Sequence, residues 1–128
     1  MIYVDSSVAL AVLFAEQRAP SQALWSQLLI SSRLFEYEIM NRVNARWPGV
    51  EHIEATRALI KRVDLFELQP HILIRALQPF PQPVRTLDAL HLASMEFLRS
   101  QGQKLQLATY DRRLAEAAQT LGFPLAQV

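Results

Sequence analysis

The sequence contains no cysteine. This absence excludes a disulfide framework, a thiolate nucleophile and a cysteine-ligated zinc site. It also fits a reducing compartment, and we expect the protein in the cytoplasm. Any metal ion that the chain binds must be held by oxygen or imidazole ligands.

Long apolar runs and a strong excess of either charge are also lacking. No run approaches the roughly 18 apolar residues that span a bilayer, and no basic leader is present, so we expect a soluble, unprocessed protein without a membrane partner. The net charge of +1 does not favour nucleic-acid binding but leaves room for a local arginine surface. With 128 residues, 51% of them hydrophobic, we expect a single domain over residues 1–128.

The order of the predicted elements indicates an α/β fold. Short strands are predicted at residues 2–5, 29–30, 64–68, 105–109 and 124–127, and helices at 7–15, 20–29, 33–47, 50–63, 70–77, 87–100 and 111–121. Thr86 is predicted to cap the helix that follows a proline-rich loop. Strands that alternate with helices predict a central, mostly parallel sheet of about four to five short strands, covered on both faces.

Four acidic residues are placed where such a sheet carries its active site. Ligands of open α/β sheets bind outside the carboxyl ends of the strands. Asp5 ends the first predicted strand, and Asp111 follows a later one. Asp88 falls in the first turn of the helix after the proline loop, and Glu38 falls in the first half of the third helix. We expect all four side chains to reach the same rim.

Four carboxylates at one rim require a cation. Two unit charges about 4 Å apart repel by about 4 kcal/mol at an effective dielectric constant near 20. A cluster of oxygen ligands suits hard cations such as Mg²⁺ or Mn²⁺. These ions activate water and stabilise the charge that develops on a phosphodiester. The pattern therefore predicts phosphoryl transfer to water.

Four segments closely resemble, in order, the motifs of PIN-domain nucleases. They are residues 2–7 (IYVDSS), 35–42 (FEYEIMNR), 87–93 (LDALHLA) and 108–114 (ATYDRRL). Four motifs in order form a strong signal, and the resemblance covers nearly the whole chain. It is closest to the VapC toxins of toxin–antitoxin pairs, which are small single-domain ribonucleases. The resemblance implies a three-layer α/β/α PIN-like fold.

The resemblance also implies roles for individual residues. Four acids become the catalytic, Mg²⁺-binding residues of an endoribonuclease, with Mn²⁺ as the alternative ion: Asp5, Glu38, Asp88 and Asp111. Thr109 and Asn41 become polar neighbours of the site, and Ser6 a residue that positions a water. The family further implies RNA as the substrate, a homodimer, and a cognate antitoxin that obstructs the acidic pocket.

Several of these residues have a simpler structural alternative. Asp5 and Asp111 are also typical helix caps. Glu36 competes with Glu38, but the two lie about 200° apart on a helix, so only one can face the pocket. Glu38 alone fits the family's Tyr-Glu-x-x-Asn pattern, which ends at Asn41.

Histidine and arginine residues beside the acids carry weaker signals. We interpret His91 as a hydrogen-bonded histidine between helix and sheet rather than a metal ligand, because hard cations prefer oxygen. Arg85 and Arg112 border the predicted pocket and could hold RNA phosphates, or could be solvated surface charges. Arg42 and Arg113 are weaker candidates for the same role.

Two other function classes stay open at this point. One is a non-catalytic PIN-like protein that acts through dimer and partner contacts, although the presence of all four acids argues against it. The other is an Asp-dependent phosphotransfer enzyme. The chain lacks the Asp-x-Asp-x-Thr segment expected there, and its only lysines, Lys61 and Lys104, are not where a phosphoaspartate partner is expected.

Overall fold

Strand β1 (Ile2–Val4) lies inside a four-stranded parallel sheet in the computed structural model, which describes residues 1–128. It pairs with β2 (Leu29–Ser32) on one side and with β4 (Gln106–Ala108) on the other. Strand β3 (Asp64–Phe66) pairs with β2, so the strand order is β3–β2–β1–β4. The carboxyl ends of all four strands therefore meet at one side of the sheet, the carboxyl edge.

Six α-helices and one 3₁₀ helix connect the strands. Their bounds are α1 Ser6–Leu13, the 3₁₀ helix Gln22–Ser26, α2 Leu34–Arg46, α3 Ile53–Ile60, α4 Pro70–Ala76, α5 Thr86–Ser100 and α6 Arg112–Thr120. None of them has both the length and the hydropathy of a membrane span.

Alternating side chains along β1 divide the core into two clusters. Ile2 and Val4 pack with residues of α1, α2 and α3 on one face of the sheet. Tyr3 faces the opposite side and packs with residues of α5 and α6. Because successive strand residues point to opposite faces, one short strand serves both clusters. The result is the three-layer α/β/α arrangement expected from the sequence.

Local sequence signals set the ends of the helices beside the site. Asp5 caps α1 by accepting a hydrogen bond from one backbone N–H group of its first turn, and Asp111 caps α6 by accepting from two. Beyond the other ends of α5 and α6, Gly102 and Gly122 adopt φ angles of 87° and 89°. Glycine reaches this left-handed conformation at little cost, so both helices stop there.

Two helix predictions are wrong in detail. The predicted helix over residues 20–29 is only the 3₁₀ helix, because Leu29 is buried in β2, where it pairs with Ile2. Thr86 does not cap α5 but is its first residue. The cap position belongs to Arg85, which has an extended backbone and whose side chain makes no cap hydrogen bond.

The predicted last strand, over residues 124–127, is reduced to a single bridge between Leu107 and Leu125. Two hydrogen bonds flank this bridge: Leu107 N–H donates to the Pro124 carbonyl at 2.9 Å, and Ala126 N–H donates to the Leu107 carbonyl at 2.8 Å. Proline has no N–H to extend the ladder, which limits the pairing to this contact.

Candidate active site

One cavity at the carboxyl edge contains all four predicted acids. It has a volume of about 390 Å³, and four separate segments supply its carboxylates: Asp5 after β1, Glu38 on α2, Asp88 in the first turn of α5, and Asp111 before α6. The parallel sheet thus brings together acidic residues that are distant along the chain.

Asp5 is held through one of its two carboxylate oxygens. Oδ2 accepts hydrogen bonds from Ser7 Oγ at 2.7 Å, from Thr109 Oγ1 at 2.8 Å and from the Ser7 backbone N–H at 3.3 Å. Oδ1 accepts no hydrogen bond, although the side chain is buried. The donors fix the carboxylate and leave one oxygen free to bind a cation.

Thr109 connects Asp5 to Asp111. Its hydroxyl donates to Asp5 and accepts a 2.9 Å hydrogen bond from the Asp111 backbone N–H. Ser6 lines the cavity, but its hydroxyl makes no hydrogen bond. Sequence reasoning passed over Ser7, which supplies two of the donors to Asp5. The available signal was the N-cap position of Asp5, since a cap accepts from the residues just after it.

Arg85 partly neutralises the cluster. Its Nε donates to Asp88 Oδ2 at 3.2 Å, and its Nη2 donates to Asp111 Oδ2 at 2.7 Å. Burial raises the pKa of the Asp88 carboxyl, and the hydrogen bond and charge of Arg85 oppose that rise. The same hydrogen bond to Asp88, with the charges of both carboxylates, raises the pKa of Arg85. The guanidinium supplies part of the positive charge that these acids require.

Glu38 contacts a buried histidine. Its Oε1 lies 2.6 Å from His91 Nε2, and His91 Nδ1 lies 2.7 Å from the Tyr3 hydroxyl. Burial lowers the pKa of His91, but its interactions with Tyr3, with Glu38 and with the charge of Asp5 outweigh burial and raise this pKa well above its ordinary value. As predicted, His91 lies hydrogen-bonded between helix and sheet. The contact with Glu38 was not predicted.

The donor set fits a hard divalent cation. Asp5 Oδ1, Glu38 Oε2 and Asp88 Oδ1 accept no hydrogen bond, whereas both oxygens of Asp111 are engaged. One ligand atom each of Asp5, Glu38 and His91 lies within 4.8 Å of the others. Carboxylate oxygens are the ligands that Mg²⁺ and Mn²⁺ prefer. Asp5 and Glu38, which offer free oxygens and belong to this close group, could hold such an ion, and Asp88 offers a further free oxygen in the same cavity.

The rotation of α2 decides which of its polar residues reach the cavity. Glu38 lines it, while Glu36 pairs with Arg33 at 3.2 Å and lines a groove between α2 and α3. Asn41, predicted as a neighbour of the site, is exposed and lines that same groove. Arg42 lines the cavity instead, because it lies four residues after Glu38 on the same helix face.

The structure places only one of the two predicted phosphate-binding arginines at the cavity. Arg85 lines the cavity, whereas Arg112 is exposed and does not. Its neighbour Arg113 lines a smaller adjoining pocket. Neighbouring helix residues differ by about 100° in direction, so adjacent arginines cannot share one face. Both lysines are exposed, and neither lines the cavity.

The chain is similar to known proteins over nearly its whole length. Residues 2–119 match the PIN domain family. Ribonuclease VapC35 of Mycobacterium tuberculosis is 34% identical over 127 residues, covering 94% of this chain and 92% of that protein. The crystal structure of M. tuberculosis VapC20, described as a Sarcin-Ricin loop cleaving toxin, has a TM-score of 0.72 at 19% identity over 100% of both chains. A toxin-antitoxin complex from Klebsiella pneumoniae has a TM-score of 0.66 at 19% identity over 87% of both chains.

Proposed function

The chain belongs to the PIN domain family, as a VapC-like member, and on this basis we propose that it is a Mg²⁺- or Mn²⁺-dependent endoribonuclease. The observation that carries the proposal is the single cavity in which four carboxylates from four segments meet. The relative named a ribonuclease supports RNA as the substrate and hydrolysis of its phosphodiester bonds as the reaction.

The residues of the cavity have different roles in this proposal. A divalent cation held by Asp5, Glu38 and Asp88 would activate a water and stabilise the charge that develops on the phosphodiester. Thr109 keeps Asp5 oriented. Arg85, which lines the cavity with a planar guanidinium, binds a phosphate oxygen once it leaves its carboxylate partners.

We also propose a protein partner, an antitoxin that covers the acidic cavity, and a homodimer. The shared fold with a structure described as a toxin-antitoxin complex supports the first. The homodimer rests on the family resemblance. Expression of the chain should arrest growth, and coexpression of the neighbouring reading frame should relieve the arrest. Absence of arrest, or arrest that the neighbour does not relieve, contradicts this part of the proposal.

The alternative functions have less support. An Asp-dependent phosphotransfer enzyme needs a lysine beside its carboxylate, and the cavity has none. A non-catalytic binding protein has no need for four acids in one cavity, three of them with a free oxygen.

Cleavage of a structured RNA by the purified protein in Mn²⁺ tests the proposal. We expect cleavage by the wild type, none without a divalent cation, and none by Asp5→Asn or Asp88→Asn, whose folding is verified by circular dichroism. Asp64→Asn is the matched control, because Asp64 is exposed at the first residue of β3, away from the carboxyl edge. Wild-type cleavage by both Asp5→Asn and Asp88→Asn overturns the proposed site.

A further inference from the structure

A buried chain of hydrogen bonds connects the sheet to one acid of the cavity. Tyr3 on β1 contacts His91 on α5 through its hydroxyl, and His91 contacts Glu38 on α2 through its other ring nitrogen. Tyr3 and His91 are 0% and 1% exposed. Two fully buried polar side chains in an apolar cluster are costly unless their hydrogen bonds are satisfied, and here each satisfies the other.

Glu38 depends on this chain more than Asp5 and Asp111 depend on any one of their partners. Asp5 accepts from the hydroxyls of two residues through Oδ2, and Asp111 accepts from two backbone N–H groups and from Arg85. The Glu38 carboxylate has a single hydrogen bond, which is the one to His91. A long glutamate side chain has several rotatable bonds, so without His91 its carboxylate would sample several positions.

Tyr3 in turn fixes the imidazole. Its ring meets the His91 ring edge-on, with centroids 5.7 Å apart and an angle of 79° between the planes. Its hydroxyl bonds Nδ1, which leaves Nε2 directed at Glu38. Tyr3 lies on β1 two residues before Asp5, which directly follows the strand, so β1 positions both Asp5 and the residue that supports His91.

We propose that His91 and Tyr3 are positioning residues that hold the Glu38 carboxylate at the cation site, with Oε1 bonded to His91 and Oε2 left for the cation. This inference rests on the proposed function of the cavity as a divalent-cation site. Outer partners of metal ligands commonly act in this way, by fixing the orientation of the ligand.

Direct binding of the cation by His91 is the competing assignment, since its ligand atom is near those of Asp5 and Glu38. Positioning is favoured because both ring nitrogens already have partners in a fully buried side chain. Coordination through Nε2 requires the ring to give up its bond to Glu38 and to lose the Nε2 proton.

Calorimetric titration with Mn²⁺ tests the proposal on the metal-free full chain. We expect His91→Leu to weaken Mn²⁺ binding by roughly 10- to 100-fold, the range typical of lost outer partners. His91→Gln keeps an amide N–H that can reach Glu38, so it should recover part of the loss. Tyr3→Phe should weaken binding less than His91→Leu. Wild-type affinity in His91→Leu overturns the proposal.

Two control variants separate positioning from general effects of substitution. Tyr110→Phe removes a phenol oxygen that is buried without a hydrogen-bond partner, and His71→Leu removes an exposed histidine. Both should bind Mn²⁺ with wild-type affinity. If Tyr110→Phe weakens binding as much as Tyr3→Phe does, the proposed role of Tyr3 is overturned.

Nuclear magnetic resonance of the wild type distinguishes positioning from coordination and does not depend on the folding of any variant. The His91 Nε2–H proton should give a downfield signal that persists when Mg²⁺ is added. Loss of this signal at stoichiometric Mg²⁺ identifies His91 as a ligand and overturns the proposal. Because affinity and spectrum are measured without RNA, failure to cleave RNA contradicts only the proposed function.

Discussion

The guanidinium of Arg85 donates a 2.7 Å hydrogen bond to Oδ2 of Asp111. Arg85 directly precedes α5 and Asp111 directly precedes α6, so this ion pair joins the entrances of two helices at the cavity. A cation that approaches Asp88 or Asp111 must therefore compete with a positive charge that belongs to the protein itself.

Removal of that charge should strengthen cation binding. We predict that Arg85→Gln binds Mn²⁺ more tightly than the wild type, by less than about tenfold, because exposed ion pairs are weak. The same variant should show a higher KM for RNA, since a phosphate partner is lost. Calorimetry and cleavage kinetics measure the two effects, with Arg112→Gln as the control outside the cavity. Weaker Mn²⁺ binding by Arg85→Gln is the contradicting result.

Asp111 has a structural role that can be separated from its charge. Asn is as good a helix cap as Asp, so Asp111→Asn should retain most of the free energy of unfolding, while Asp111→Ala should lose about 0.5–2 kcal/mol. RNA cleavage should fall in both variants, because both remove the carboxylate. Urea unfolding and a cleavage assay check these expectations. Cleavage by Asp111→Asn at the wild-type rate would show that Asp111 acts only as a helix cap.

Thr109 should contribute to stability through the two hydrogen bonds of its hydroxyl. Thr109→Val has nearly the same shape but leaves the Asp111 N–H without its acceptor and Asp5 without one donor. We predict a loss of about 1–3 kcal/mol in the free energy of unfolding. Thr109→Ser, which keeps the hydroxyl, should recover most of it. Equal stability of the serine and valine variants contradicts this explanation.

Ser31 presents the opposite case, a hydroxyl with no partner. It is 0% exposed on β2, and its Oγ makes no hydrogen bond. An unpaired buried hydroxyl costs about 1–3 kcal/mol. Ser31→Ala should therefore unfold at the same or a higher urea concentration than the wild type. A lower midpoint would show that the hydroxyl stabilises the fold.

Much of the fold could be predicted because its signals are local. Asp5 and Asp111 mark helix starts, Gly102 and Gly122 mark helix ends, and both kinds of signal act within a few residues. The segment before β2 was mispredicted because its structure depends on Leu29 joining the sheet. That pairing is a long-range contact that no short sequence window contains.

The same distinction between local signals and long-range contacts applies to the site. The four acids could be found because each lies near a strand end or within a recognisable motif. The bond between His91 and Glu38 could not, since 53 positions separate the two residues and their meeting depends on how α2 and α5 lie against the sheet. That Arg42 and not Arg112 lines the cavity could not be predicted either, because it depends on the orientation of each helix about its own axis.

The rate of Mn²⁺-dependent RNA cleavage by Glu38→Gln, beside Glu36→Gln, tests the central claim most directly. The two glutamates lie two residues apart on α2, but only Glu38 lines the cavity, and Glu36 pairs with Arg33. We predict that Glu36→Gln cleaves at the wild-type rate and that Glu38→Gln cleaves more than about a hundredfold more slowly. This loss exceeds the one typical of residues that only orient a metal ligand. Equal rates in the two variants would contradict the assignment of the cavity as the active site.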